Sequence, residues 1–303
     1  MRILFMGTPM FSVPSLRRLY DDGHDIVGVF SQPDKPRGRG MKTMFTPVKE
    51  LAISSGTQVF QPMTLSDGKA SLIIKELCCD LIVVVAYGRL LPREILDLPP
   101  LGCINIHASL LPKYRGAAPI NWAIIRGEKE TGVTAMQMDE ELDSGDIICC
   151  SKTDIGESET AGQLYERLSV IGANLLSETI TVLSSGIVVR TPQDHDVATY
   201  APPINRRLSP IDWSDTSENI RNKVRGLNPR PSATTKLNDV VFKIHSVVIG
   251  GSRPQGVENG AIVATGRQGI EITCADGTVI IKELQAPGGR RMTAEEYLRG
   301  NRV

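Results

Sequence analysis

Neither sign of charge prevails in this sequence. The 34 Lys and Arg residues are matched by 34 Asp and Glu, so the formal net charge over 303 residues is zero. A chain without a global positive field does not advertise a nucleic-acid binder, and any RNA contact must come from local clusters. Cysteine is scarce and wrongly spaced for its two structural uses. The six, Cys78, Cys79, Cys103, Cys149, Cys150 and Cys274, form two adjacent pairs and two singles, neither a zinc spacing nor a secreted disulfide framework. Several lie in apolar runs, which reads as buried, reduced thiols. No apolar run approaches the roughly 20 residues of a membrane-spanning helix. No signal or transit segment precedes the first strand-like run at 2–6, so a cytoplasmic protein with no membrane partner is expected. No GxGxxG follows that strand, which excludes the nucleotide site of a dehydrogenase.

What is present is ordinary globular composition, 41% hydrophobic and 22% charged, in a chain long enough for two domains. The opening strand, a turn at Gly7-Thr8-Pro9, a helix over 14–22 and a strand over 26–30 read as a parallel α/β sheet. Residues 81–86, LIVVVA, lack alternation, as a central parallel strand covered on both faces does. A helix spans 160–184, with an apolar stripe at Leu164, Leu168, Ile171, Leu175 and Val182. From 190 the texture turns to prolines and polar residues without a period, the mark of a linker. His195 reads there as a solvated loop residue. Short β-rich runs separated by Gly, Asn and Asp turns follow, at 240–249, 260–264, 270–274 and 278–284, and suggest a small barrel. The expected division is 1–189, a linker over 190–207, and 208–303.

Chemistry concentrates at 103–112, CINIHASLLP. Side chains alternate along a strand, so Asn105 and His107 project from the same face. An amide N–H can bind an oxygen that becomes negative, and an imidazole can move a proton near neutral pH. Asn and His two apart on a strand are also commonly structural. A later turn-forming cluster, LDSGD at 142–146, supplies Asp143, a carboxylate that can orient an imidazole and support its positive form. A second distinct stretch is 32–45, QPDKPRGRGMKTMF, with Lys35, Arg37, Arg39 and Lys42 against a single Asp34. Its glycines and prolines argue against regular structure. Such a loop suits a phosphate backbone, and composition alone leaves a solvated surface loop as the simpler reading.

In combination, Asn105-Ile106-His107, Ser109-Leu110-Leu111-Pro112, Tyr114-Arg115-Gly116-Ala117-Ala118-Pro119-Ile120, Gln137-Met138-Asp139 and Leu142-Asp143-Ser144-Gly145-Asp146 resemble the folate-dependent formyltransferases, and within them the branch that acts on methionyl-tRNA. The likeness runs from Met1 to about Met292. It implies a Rossmann-like, mostly parallel N-terminal domain and an OB-like C-terminal β-barrel. It also implies formyl transfer from 10-formyltetrahydrofolate, which leaves tetrahydrofolate, to the methionine of charged initiator methionyl-tRNA. No metal is expected, nor an oligomer.

The resemblance assigns catalysis to Asn105, His107 and Asp143, and a folate pocket to Ser109, Leu110, Leu111 and Pro112. The rule that α/β ligands sit beyond the carboxyl ends of strands adds Tyr87 and Gly88, although Tyr87 can equally cap the core, as can Leu110 and Leu111. Arg37, Arg39 and Lys42 are expected to meet the acceptor end of the tRNA, Arg39 foremost. Arg206 and Arg207 extend that path, and Arg290 with Arg291 forms a further basic patch. The sequence departs from the family's habit at Ala108, often Gly, at Arg230, often aromatic, and across 202–207. Two alternatives stay open: formylation of a small amine on the same Asn, His and Asp, and an RNA-binding protein on a retired enzyme fold.

Overall fold

The computed structural model describes residues 1–37 and 42–303, which divide into two compact units. The first holds Met1–Pro119, Glu130–Asp154 and Tyr165–Ala201; the second holds Ile120–Lys129, Ile155–Leu164 and Pro202–Val303. The elements of the first half are β1 (Arg2–Gly7), α1 (Val13–Asp21), β2 (Asp25–Phe30), β3 (Lys35–Arg37), β4 (Lys42–Met44), α2 (Pro47–Ser54), β5 (Val59–Phe60), α3 (Lys69–Leu77), β6 (Leu81–Val85), α4 (Arg93–Leu96) and β7 (Cys103–His107). Then come α5 (Pro119–Ile125), β8 (Glu130–Gln137), β9 (Ile147–Asp154) and α6 (Ala161–Ser184).

The first unit is built on a seven-stranded sheet in the order β5-β2-β1-β6-β7-β8-β9. β5, β2, β1, β6 and β7 are parallel, β8 runs antiparallel to β7, and β9 antiparallel to β8. Every residue of β6 and β7 is buried, the pattern of central strands covered on both faces. On one side Met6, Phe30, Ile74, Tyr87 and Leu91 share a core with the flanking helices. On the other, Ile106 meets α6 at Gly172, where an added Cβ would stand 3.1 Å from the Ile106 methyl. Ile106 therefore serves packing while its neighbours Asn105 and His107 face the opposite way.

The stripe of α6 departs from the expected set at its end. Leu164, Leu168 and Leu175 are buried, but Val182 is 39% exposed and Ile180 and Leu183 take its place. An α-helix drifts by about 20° per heptad against a strict seven-residue repeat, and the run 168, 175, 182 carries that drift off the core.

The basic stretch also contains regular structure that its glycines and prolines argued against. β3 pairs antiparallel with β4, with Arg37 opposite Lys42. Arg39 lies outside the described residues. The base of this hairpin is fastened where Lys49 Nζ donates to Asp34 Oδ2 at 2.5 Å and to Gln61 Oε1 at 2.7 Å.

The second unit adds α7 (Ser217–Gly226), β10 (Ala233–Leu237), β11 (Val240–Ile249), β12 (Ile262–Gly266), β13 (Gly269–Thr273), β14 (Thr278–Gln285), β15 (Arg291–Thr293) and α8 (Ala294–Leu298). Its six-stranded sheet runs β10-β11-β14-β13-β12, with β15 also on β14, and its paired strands are antiparallel. No β10–β12 pair closes it among the described residues, which leaves the expected barrel partly open. Phe242, Ile244, Ile270, Ile281 and Leu284 form its core with Ile220 and Val224 of α7. Thr216 caps α7 by accepting from the Asn219 N–H, and a capping box at Thr293 and Glu296 starts α8. Among the described residues no helix is long and apolar enough to cross a membrane.

Candidate active site

β7 brings Asn105 and His107 to one face, and the loop after β8 brings Asp143 to both. That loop leaves β8 beside the strand's start, where the Met138 N–H donates to the Cys103 carbonyl at 2.8 Å, and folds back over the sheet. Asn105 Nδ2 donates to Asp143 Oδ1 at 3.3 Å. His107 Nδ1 stands 3.5 Å from Asp143 Oδ2. The three groups are nearly enclosed, with Asn105 9% and His107 6% exposed. At such depth a polar group needs a partner, because leaving one unmade costs about 1–3 kcal/mol.

The partners come from the segment after β7. His107 Nε2 donates to the Tyr114 carbonyl at 2.9 Å. A carbonyl only accepts, so Nε2 carries the proton and Nδ1 is the nitrogen turned to Asp143. One residue beyond Arg115, the Gly116 N–H donates to Asp143 Oδ2 at 2.8 Å. Gly116 has φ +113°, and a Cβ there would come within 3.0 Å of the Ala201 carbonyl oxygen. This is a position where the left-handed backbone and the close approach both require glycine.

The Asp143 loop is held as tightly. Asp143 itself has φ 52°, a left-handed conformation that aspartate tolerates better than most residues. Asp139 Oδ1 accepts from the Ser144 hydroxyl at 2.7 Å and the Glu141 N–H at 3.1 Å. A Cβ on Gly145 would lie 1.9 Å from the Gln137 carbonyl oxygen. Gln193 donates to the carbonyls of Asp143 and Gly145. Nothing in its surroundings in the sequence marks Gln193, which falls in the stretch expected as a linker but lies in the first unit. There Thr191 also bridges to Ile147. His195 is exposed, yet its Nδ1 accepts from Arg115 Nη1 at 3.3 Å.

The residues expected around a folate divide by what they face. The Ser109 hydroxyl donates to the Lys113 carbonyl at 2.7 Å, and the Leu111 N–H donates to Thr134 Oγ1 at 3.2 Å. Leu110 packs over Gly132, and the Pro112 carbonyl accepts from the Thr199 N–H at 3.3 Å. The segment is a shaped wall whose hydrogen bonds go to its own scaffold. The Tyr87 ring is buried in the core, and its hydroxyl has no partner among the described residues. Its carbonyl accepts from Gln32 Nε2 at 3.1 Å and Thr8 Oγ1 at 3.5 Å. The loops after β1, β2 and β6 are thereby tied together beyond the carboxyl ends of those strands. Gly88, with φ +81°, is exposed beside them.

The second unit contains a cavity of about 960 Å³ whose lining includes Arg206, Arg230, Lys243 and His245 and, among the described residues, no acidic one. Arg206, Arg230 and Lys243 are exposed. Burial pushes the His245 imidazole below its usual range, so it adds no charge near neutral pH. Arg207 is exposed and does not line the cavity. The other basic cluster is neutralised: Arg290 pairs with Glu296 and Arg291 with Glu283. Among the described residues no group of three His, Cys, Asp or Glu side chains is placed to hold a metal ion.

Asn105, His107 and Asp143 thus converge off β7 of a parallel-dominated α/β unit, and the second unit is built on an antiparallel sheet. The formyl transferase family model matches residues 1–180, and the formyl transferase C-terminal domain matches 203–302. The chain belongs to the formyl transferase family. It is 46% identical over 303 residues to the methionyl-tRNA formyltransferase of Clostridioides difficile, covering 100% of this chain and 98% of that one. Two solved structures share the fold at lower identity. WlaRD, a sugar 3N-formyl transferase solved in the presence of dTDP and 5-N-formyl-THF, aligns with a TM-score of 0.68 at 20% identity, over 93% of this chain and 97% of its own. HypX from Aquifex aeolicus, in complex with tetrahydrofolic acid, aligns with a TM-score of 0.64 at 18% identity over 98% of this chain, which spans 47% of HypX.

Proposed function

We propose that this chain transfers the formyl group of 10-formyltetrahydrofolate to the α-amino group of methionine on charged initiator tRNA, giving N-formylmethionyl-tRNA and tetrahydrofolate. Full-length similarity at 46% identity to an enzyme of that name carries the reading. The convergence of Asn105, His107 and Asp143 supports it. We assign the enzyme to the cytoplasm, acting as a monomer.

The amine nitrogen attacks the formyl carbon, the formyl oxygen gains charge, and the bond to folate N10 then breaks. An α-amino group titrates at about 7.7–8.0 in model peptides, so the attacking amine must be neutral or lose a proton as it reacts. Asn105 directs one amide N–H at Asp143 and keeps a second, which we assign to the developing oxyanion. His107 Nδ1 takes the proton of the amine, because Nε2 is committed to Tyr114. Asp143 stabilises the resulting imidazolium, and the proton passes on to N10 as the bond breaks.

The wall at 109–112 and the exposed backbone beside Tyr87 and Gly88 are our candidate folate pocket. For the tRNA we assign Arg37, Arg39 and Lys42 of the basic stretch, and Arg206 and Arg207 of the second unit, joined there by Arg230 and Lys243 around the cavity. The acceptor decides the reading. Purified protein with 10-formyltetrahydrofolate is offered Met-tRNA, free methionine and a small amino sugar. Product on Met-tRNA alone is expected. Product on a small amine keeps the chemistry and discards the tRNA, and RNA binding without product on any acceptor discards the enzyme.

A further inference from the structure

Behind the Asp143 loop lies a polar relay whose direction is set by its partners. Gln193 Nε2 donates to the Asp143 carbonyl at 2.9 Å and to the Gly145 carbonyl at 2.7 Å. Gln193 Oε1 accepts from Arg115 Nε at 3.1 Å and Nη2 at 2.7 Å. A guanidinium only donates and a carbonyl only accepts, so the amide has a single satisfied orientation. Both side chains are buried, Gln193 at 5% and Arg115 at 3% exposure. Among the described residues no carboxylate lies within ion-pair distance of Arg115. Its remaining acceptor is His195 Nδ1, 3.3 Å from Nη1. A buried cation without a counter-ion is costly to keep, and here its field falls on the amide that grips the loop.

The backbone around Arg115 holds the other side of the site, through the Tyr114 carbonyl on His107 and the Gly116 N–H on Asp143. Asp143 is thus gripped at both ends, its carboxylate by Gly116 and Asn105 and its main chain by Gln193. We infer that Gln193, oriented by Arg115, is a positioning residue that holds the Asp143 carboxylate against His107 by clamping the left-handed turn beneath it. This rests on the function proposed above.

The test places Gln193→Met and Gln193→Glu in the wild-type chain and in an Asp143→Asn background. Formyl transfer to Met-tRNA is measured in all of them, and the NMR chemical shift of the Asp143 carboxyl carbon wherever Asp143 is present. Methionine removes both halves of the amide. Glutamate keeps Arg115 paired but turns an acceptor toward two carbonyls. In the wild-type chain each variant is expected to lower kcat by about 10–100-fold, the scale of a displacement near 1 Å, with KM for both substrates within about twofold. In the Asp143→Asn background the further loss is expected to stay under about twofold, because residues acting as a unit are not additive. The carboxyl carbon resonance of Asp143 is expected to move in both variants of the wild-type chain. Wild-type kcat in the Gln193 variants, or an undiminished loss in the Asp143→Asn background, overturns the inference. If Gln193→Met fails to fold, Gln193→Glu decides by the same criteria. A wild-type chain without formyl transfer overturns the function alone, and the Asp143 carboxyl carbon resonance then judges the positioning: an unmoved resonance in the variants overturns it.

Discussion

His107 and Asp143 meet with Nδ1 and Oδ2 3.5 Å apart, and the same carboxylate oxygen accepts from the Gly116 N–H at 2.8 Å. The imidazole is anchored from behind by Tyr114 and the carboxylate from the side by Gly116. Two residues 36 positions apart in sequence are therefore brought into register by a third short segment. The consequences are open to measurement.

Asn105→Ala and His107→Ala are expected to lower kcat by at least about 10², the usual loss for one oxyanion donor, with circular dichroism and Tm close to wild type. Asp143→Asn keeps the shape and loses the charge that supports the imidazolium, and a loss of similar size is expected. Turnover within threefold of wild type in any of the three removes that residue from the chemistry.

Gly145→Ala places a Cβ where the Gln137 carbonyl oxygen lies 1.9 Å away. The loop carrying Asp143 has to shift, and about a 10²-fold fall in kcat is expected from misplacement near 1 Å. Gly251→Ala, which meets nothing within 4 Å among the described residues, is the matched control and should leave kcat unchanged. Equal rates in the two variants would show that the loop's position is immaterial.

Asp34 and Lys49 make a largely buried pair at the base of the basic hairpin, each side chain 15% exposed. Burial alone would raise the Asp34 carboxyl, but hydrogen bonds from Lys49 and Gln61 outweigh it and hold it below its usual value. A depressed carboxylate stabilises the fold above its unfolded pKa of about 3.9, and that stability is lost as pH falls through the lower folded value. Asp34→Asn is therefore expected to cost about 1.5–3 kcal/mol near pH 7, on the scale of hydrogen bonds to a charged group. The gap to wild type should narrow below about pH 4. Denaturant melts at pH 7 and pH 3 check this, and a gap that is the same at both overturns the pairing.

Arg206, Arg230 and Lys243 line a cavity that, among the described residues, has no acidic side chain in its wall. Replacing each by Gln should weaken tRNA binding without changing turnover at saturation. Each should also reduce the slope of log K against log salt by about one. Filter-binding titrations at several salt concentrations measure that slope, and an unchanged slope removes the residue from the RNA path.

Of the six cysteines, Cys78 and Cys150 are exposed and should react first with a thiol reagent. Burial pushes the Cys79 thiol up to about 11, and burial likewise raises Cys103. Thiolate is the reactive form, so both should label only on unfolding. Fast labelling of Cys103 in the native protein would contradict its place within β7.

The central strand at 81–85 was legible in the sequence because a strand covered on both faces carries an unbroken apolar run. Asn105 and His107 were legible as a same-face pair because alternation is a property of the backbone alone. The short elements were harder. The β3–β4 hairpin hid behind glycine and proline, and β10 and α8 are too short to show a period. Val182 was misplaced because a seven-residue repeat and a 3.6-residue turn drift apart along a long helix.

Local composition and periodicity by themselves determined that this is an α/β chain with a β-rich second part, and that an amide and an imidazole share one strand face. Both follow from rules that act within a few residues. That Asp143 reaches them, that Tyr114 and Gly116 hold the pair, and that Gln193 grips the loop from a stretch that reads as a linker were decided only by the tertiary structure. The contacts of Asp143 join residues 27 to 50 positions apart, and each forms because a polar group already buried by the fold has to find a partner there.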